Sequence, residues 1–256
     1  QSFGKSKWLS LGGWINAIIP ILIVPYYSVI GGWVIKYLYE YILGHSEQLA
    51  ADGYFSGFIS SGGSAEICFL IFTIITVAVI FGGVRNGIER VSKFMMPILV
   101  ILSIMISVYS VTMPGALEGV KYFLIPNFSN FSWMTVVSAM GQMFYSLSIA
   151  MGILITFGSY MKKDVSIEKS TTNVEIFDTG IAIMSGLMII PAVFAFSGGN
   201  PDTLQAGPSL MFITLPKIFS GLSVGTFIGI LFFFLVLCAA LTSSIALTES
   251  AVSTFQ

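Results

Sequence analysis

Charge is what this sequence has least of. Asp, Glu, Lys and Arg together make up 9% of its 256 residues, against roughly 25% in a soluble domain. Hydrophobic residues make up 55% and the mean hydropathy is +0.92, which excludes an ordinary water-facing globule. Basic excess is missing too: the net charge is −1, so no cationic surface points to a nucleic-acid partner. The single histidine, His45, falls in a polar stretch, which removes most zinc and histidine-base chemistry. The two cysteines, Cys68 and Cys238, lie inside apolar runs and read as small packing residues, not as a disulfide or metal pair. No nucleophile with a base, no metal cluster and no phosphate loop is visible, so an enzyme is a poor reading.

What the sequence has is long apolar runs. About 20 such residues suffice to cross a bilayer as a helix, and runs of this length are unlike the alternating pattern of a membrane barrel. The expected fold is therefore all-α, a polytopic membrane protein with six transmembrane helices. The spans fall near 11–38, 66–83, 94–112, 133–160, 171–197 and 224–250. Lys5, Lys7, Arg85, Arg90, Lys93, Lys162, Lys163 and Lys169 fall on one side of these spans; Lys36, Lys121 and Lys217 fall on the other. The positive-inside rule then puts both ends of the chain in the cytoplasm of a cell (inner) membrane, with external loops at 40–65, 113–131 and 198–222. The residues from Gln1 to Trp8 and the close at Gln256 read as interior to something longer. Trp8, Tyr39, Tyr41, Tyr122, Trp133 and Tyr160 are expected as interfacial anchors, and Phe232-Phe233-Phe234 as packing.

The fourth span is unlike the others. Gly141-Gln142-Met143-Phe144-Tyr145-Ser146-Leu147-Ser148-Ile149-Ala150-Met151-Gly152 places Gln, Tyr and two Ser between glycines at mid-span. One reading is a broken helix, tolerated only where its freed backbone faces protein or a wet cavity. Its half-helix ends would then present opposite dipole ends to ligands. The other reading is a continuous helix whose Ser hydroxyls bond back to their own turn. Other polar groups pose the same choice. Asp178 sits inside the fifth span, where a carboxylate is costly and functional by default, unless it lies near enough to the interface to stay hydrated. Glu175 is expected at that interface, and Glu66 and Glu249, at span ends, are expected to be solvated. Thr242-Ser243-Ser244 in the sixth span are either helix glue or oxygen ligands for a hard cation. Tyr26-Tyr27 adds buried phenols in the first span that need partners.

Together these residues resemble the neurotransmitter:sodium symporters, bacterial amino-acid transporter type. The likeness is carried by Pro25-Tyr26-Tyr27-Ser28 with Trp33, by Gly87-Ile88-Glu89-Arg90 with Lys93 and Pro97, and by the Gly141–Ser148 stretch. Phe177-Asp178-Thr179 with Pro191–Ala195, Phe212-Ile213-Thr214-Leu215-Pro216 with Phe219, and Leu241–Ala246 complete it in order. The resemblance implies an inverted-repeat transporter fold with one broken helix. It covers the family's third to eighth transmembrane helices, so that residues 1–256 form a single transmembrane domain lacking the first two and the last helices. It implies a sodium-coupled symporter of a small amino-acid substrate, embedded in membrane lipid, using two sodium ions.

Residue by residue, the resemblance implies that Tyr27 holds the substrate carboxylate, with Ile23 one turn below lining the side-chain pocket. Tyr145 stands as the lid, usually Phe in the family, and Gln142 as a vestibule residue. Ser146, Ser148, Met151, Ser243 and Leu247 complete the substrate contacts. Ser146 and Asp178 would ligate one sodium; Ala239, Thr242 and Ser243 would ligate the second. Asp178 would also supply the negative charge that chloride gives in other members, so that chloride is not required. Ile23, Tyr145, Met151 and Leu247 form an apolar wall, for which a hydrophobic or aromatic amino acid is the expected substrate. Ala150, where relatives often carry Gly, is expected to stiffen the break. A proton-coupled or exchange-type carrier of related fold, or a non-transporting membrane receptor, are the alternatives.

Overall fold

The computed structural model describes residues 9–149, 151–200 and 207–255. Among them every regular element is a helix. Five are long and apolar enough to cross a bilayer: α1 (Leu9–Ile42), α4 (Gly62–Phe81), α5 (Arg90–Thr112), α9 (Ile167–Ser197) and α11 (Gly225–Ser253). The sixth crossing is in two pieces, α7 (Trp133–Ser146) and α8 (Ile153–Ser159). Between the spans lie short helices: α2 (Ser46–Ala50), α3 (Tyr54–Ser60), α6 (Ala116–Leu124) and α10 (Leu215–Ser220). The connections expected as plain loops are thus partly helical, because each carries enough apolar residues to pack onto the ends of the spans. Trp8 and Ala150 lie outside the described residues.

The centre of the fold is the packing of α1 on α11. Lipid offers apolar side chains no less comfort than a neighbouring helix does, so association rests on close packing and internal hydrogen bonds. Gly32 lets α1 approach α4 so closely that an added Cβ would stand 2.7 Å from the Phe69 backbone nitrogen. At Gly229 of α11 the same atom would meet the Tyr41 ring at 2.3 Å. Into this seam pack Tyr37, Tyr41, Phe212, Phe219, Phe232 and Phe233, with rings edge-on, tilted or stacked at 5.0–6.4 Å. The buried Tyr37 hydroxyl donates to the Phe212 carbonyl at 2.8 Å, which removes the cost of an unpaired phenol. Cys68 and Cys238 are buried free thiols. A second layer joins α5 and α6 to α9; Ser107 donates to the Met184 carbonyl at 2.9 Å.

Three expectations need correcting here. Tyr41 is fully buried, not an interfacial anchor, because Gly229 opens a slot for its ring. Tyr26 is 59% exposed and only its neighbour Tyr27 turns inward. Glu249 is buried and accepts a hydrogen bond from the Tyr160 hydroxyl at 2.7 Å, where a solvated position was expected. At the far end, the Lys217 ammonium beside Asp52 holds that carboxyl below the ordinary carboxylate range. That pair ties α10 to the α2–α3 turn, although water screens most of its energy.

Candidate functional site

The site is built around the interruption between α7 and α8. α7 opens on a capping box in which Ser132 and Thr135 satisfy each other's backbone. It stops at Ser146 because the chain turns back: Ser148 takes φ 55° and Gly152 φ 73°. The Ile149 amide bonds the Phe144 carbonyl at 2.9 Å, and the Ser148 amide bonds the Tyr145 carbonyl at 3.1 Å. A non-glycine residue in this region is uncommon, and here it is Ser148, whose backbone rules out the continuous-helix reading.

Gly152 is the other hinge. A Cβ there would stand 2.9 Å from Ser250 Oγ and 3.0 Å from the Asn16 carbonyl oxygen, on a backbone that L residues rarely adopt. Gly152→Ala is therefore expected to destabilise the protein by about 1–2 kcal/mol. Thermal melting of the purified protein in detergent checks this, and an unchanged midpoint would mean that the break relaxes freely.

Beside the interruption lies a cavity of about 650 Å³ reached by α1, α5, α7, α8, α9 and α11. It gathers Ile23 and Tyr27 from α1, Tyr145 and Ser146 from α7, Ser148 and Met151 from the break, and Ser243 and Leu247 from α11. These eight residues were singled out from the sequence as substrate contacts, and the fold places them around one space. Gln142 and Thr242 line it as well. Tyr27 of α1 and Ser243 of α11 thus border the same space.

Two other residues stand just behind the wall. Asp178 Oδ1 accepts the Ser146 hydroxyl at 2.7 Å, which ties α9 to the last residue of α7. The Ala239 carbonyl accepts the Thr242 hydroxyl at 3.0 Å, and the Cys238 carbonyl does so at 3.1 Å. In both cases the hydroxyl spends its proton on that bond, which leaves the Ser146 and Thr242 oxygens able to act as acceptors. The run Thr242-Ser243-Ser244 divides by face. Ser244 is buried against Thr76 at 3.3 Å and glues α11 to α4, while the other two turn to the cavity.

Apart from the Gln142 amide nitrogen, the polar side-chain atoms offered here are hydroxyl and amide oxygens. No cluster of three or more His, Cys, Asp or Glu occurs among the described residues, so the donor set suits a hard alkali cation and not zinc or copper. Among the described residues, none of the cavity-lining side chains is charged. The walls missed by sequence reasoning are Ser92 and Met96 of α5, Ile88 of the π-helical turn before it (Val84–Glu89), Ile153, Leu154 and Phe157 of α8, Val174 of α9 and Ala246 of α11. These lie in apolar runs, where the sequence shows no contrast between a lipid-facing and a cavity-facing side. Below the cavity α8 is clasped to α11: Thr156 pairs with Ser253 at 3.1 Å, and Ser250 donates to the Met151 carbonyl at 3.4 Å.

The model of the sodium:neurotransmitter symporter family matches residues 47–256. An uncharacterized sodium-dependent transporter of Bacillus subtilis (strain 168), YhdH, is 37% identical over 98% of the chain and 55% of its own length. An uncharacterized sodium-dependent transporter of Haemophilus influenzae is 36% identical, over 99% of the chain and 56% of its own length. The crystal structure of MhsT in complex with L-phenylalanine superposes with a TM-score of 0.86 at 37% identity, covering 98% of the chain and 57% of MhsT. The chain thus spans about half the length of the relatives it matches.

Proposed function

Because the chain belongs to the sodium:neurotransmitter symporter family, we propose that it is part of a sodium-coupled secondary transporter that carries a hydrophobic or aromatic amino acid. The observation that carries this reading is the Ser146–Asp178 pair, set where α7 stops, with Ser146 lining the same cavity as Tyr27, Thr242 and Ser243. A carboxylate placed within a spanning helix is costly and marks a functional site by default. The C-terminal end of α7 adds its carbonyl dipoles, which favour a cation.

In this reading Ser146 and Asp178 contribute to one sodium site. Ala239, through its carbonyl, contributes with Thr242 and Ser243 to a second. Tyr27 donates to the substrate carboxylate, and Ser148 offers a further hydroxyl. Tyr145 closes over the substrate, and Ile23, Met151 and Leu247 hold its side chain. The cavity volume lies within the usual range of about 300–1,000 Å³ for small-molecule sites. The resemblance to MhsT, solved with L-phenylalanine, supports a large apolar substrate, and so does the lack of charge among the lining side chains. Transport proceeds without chloride, and the ends of this chain face the cytoplasm.

Uptake into proteoliposomes containing the intact transporter tests both halves. An inward sodium gradient should drive uptake that Leu, Met or Phe competes for and Lys or Glu does not. Thr242→Ala with Ser243→Ala should raise the half-saturating sodium concentration by about tenfold or more, as expected for lost cation ligands. Uptake driven equally by a proton gradient in choline, or a preference for charged substrates, would overturn the corresponding half.

A further inference from the structure

We propose that a groove between α1, α3 and α4, away from the transport cavity, binds a membrane phospholipid: Lys36 holds its phosphate, and an acyl chain lies along Ile67 and Ile71.

Two adjoining spaces make up this groove. One, about 350 Å³, lies at the loop end and is lined by Lys36, Tyr54, Gly57 and Ser64 among others. The other, about 440 Å³, runs down α4 past Ser64, Ile67, Cys68 and Ile71. Lys36 and Ser64 border both, so the polar and the apolar space meet at those two side chains. Gly57 keeps the loop end open, since nothing stands within 4 Å of where its Cβ would be.

The polar end is unusual for a spanning helix. Lys36 lies six residues before the end of α1, which at about 1.5 Å per residue sets it roughly 9 Å below that end. It pairs with Glu40, whose other carboxylate oxygen is taken by His45 at 2.6 Å. Glu40 is thus shared between two partners, and the ammonium keeps two N–H donors beyond that bond. The Lys36 side chain is only 21% exposed, so it does not extend freely into water. The Ser64 and Tyr54 hydroxyls border the same space, and among the described residues neither makes a hydrogen bond to protein. Donors left without acceptors at a bilayer surface are costly, and phosphate oxygens satisfy an ammonium and hydroxyls together.

The apolar end fixes the source of that phosphate. Ile67, Leu70, Ile71 and Ile74 are 60%, 47%, 42% and 65% exposed and follow one another along α4. α4 has a mean hydropathy of 2.4 with only 11% of its span buried in the protein. A phosphate with no chain attached would leave this strip uncovered, whereas a phospholipid covers both ends with one molecule.

Native mass spectrometry of the intact transporter, released from nanodiscs that hold phosphatidylglycerol and chain-matched diacylglycerol in equal amounts, tests the proposal. Retention of one phosphatidylglycerol per chain is expected, favoured about fivefold over diacylglycerol, the factor one lysine near a lipid surface contributes. Lys36→Met with Glu40→Gln, which removes the ion pair without leaving a lone charge, should abolish the preference. Ile71→Trp, which fills the deep space and leaves the polar end intact, should lower retention of both lipids. Equal retention of the two lipids by the unmodified protein would overturn the site. So would unchanged retention in both variants, or displacement of the lipid by glycerol 3-phosphate, which marks a free-anion site. An absence of retained lipid would overturn it as well.

Discussion

Replacing Asp178 with Asn is expected to weaken sodium binding at least about tenfold and to make uptake depend on chloride. In the proposed transporter, two sodium ions beside a zwitterionic substrate would leave uncompensated positive charge in a cavity whose described lining side chains are all neutral. One such charge facing an anion at about 4 Å interacts by about 4 kcal/mol at an effective dielectric of 20. Asp178 is the carboxylate that the fold brings to the break, through Ser146 at 2.7 Å. The substitution keeps the size and one acceptor oxygen, so a folding defect is not the expected outcome. Uptake by the unmodified transporter should persist when chloride is replaced by gluconate, and the Asn variant should recover part of its rate when chloride is restored. If the unmodified protein stops in gluconate, or the variant keeps its sodium affinity, the balancing charge lies elsewhere.

Tyr27→Phe is expected to raise the KM for the amino acid by about tenfold to a hundredfold while leaving the maximal rate nearly unchanged. The ring stays and one hydroxyl goes. A hydrogen bond to a charged group contributes about 1.5–3 kcal/mol, which is that factor in affinity. The phenol faces the cavity near Ser243, so it is free to donate to a carboxylate entering from the break. Loss confined to KM is the signature of a contact made equally before and during translocation. Sodium affinity measured without substrate should not move. A fall in maximal rate at constant KM would instead assign the hydroxyl to the conformational step.

The sequence was most legible where a polar residue stood in the wrong place. Ser146 and Ser148 within an apolar run pointed to the break, and the structure separates α7 from α8 there. Span positions followed from apolar length alone. Less legible was anything that depends on a neighbour's shape. Tyr41 looks like an anchor until Gly229 supplies a slot for its ring, and Glu249 looks solvated until Tyr160 arrives from α8. The contrast between Ser243 and Ser244 was likewise invisible, because adjacent residues about 100° apart on a helix meet different partners. The α5 and α8 walls of the cavity were hidden for a related reason: membrane helices are apolar on the lipid side and the cavity side alike. Ala150 lies outside the described residues, so its expected stiffening of the break stands as a proposal.

The most direct test of the account is equilibrium binding of labelled phenylalanine or leucine to the purified intact transporter, with sodium replaced by choline at constant ionic strength and no gradient present. The account predicts binding in sodium that falls away in choline, competed by hydrophobic amino acids and not by Lys or Glu. Equal binding in the two salts would contradict it, because the oxygens gathered at the α7–α8 break would then hold no sodium that the substrate needs.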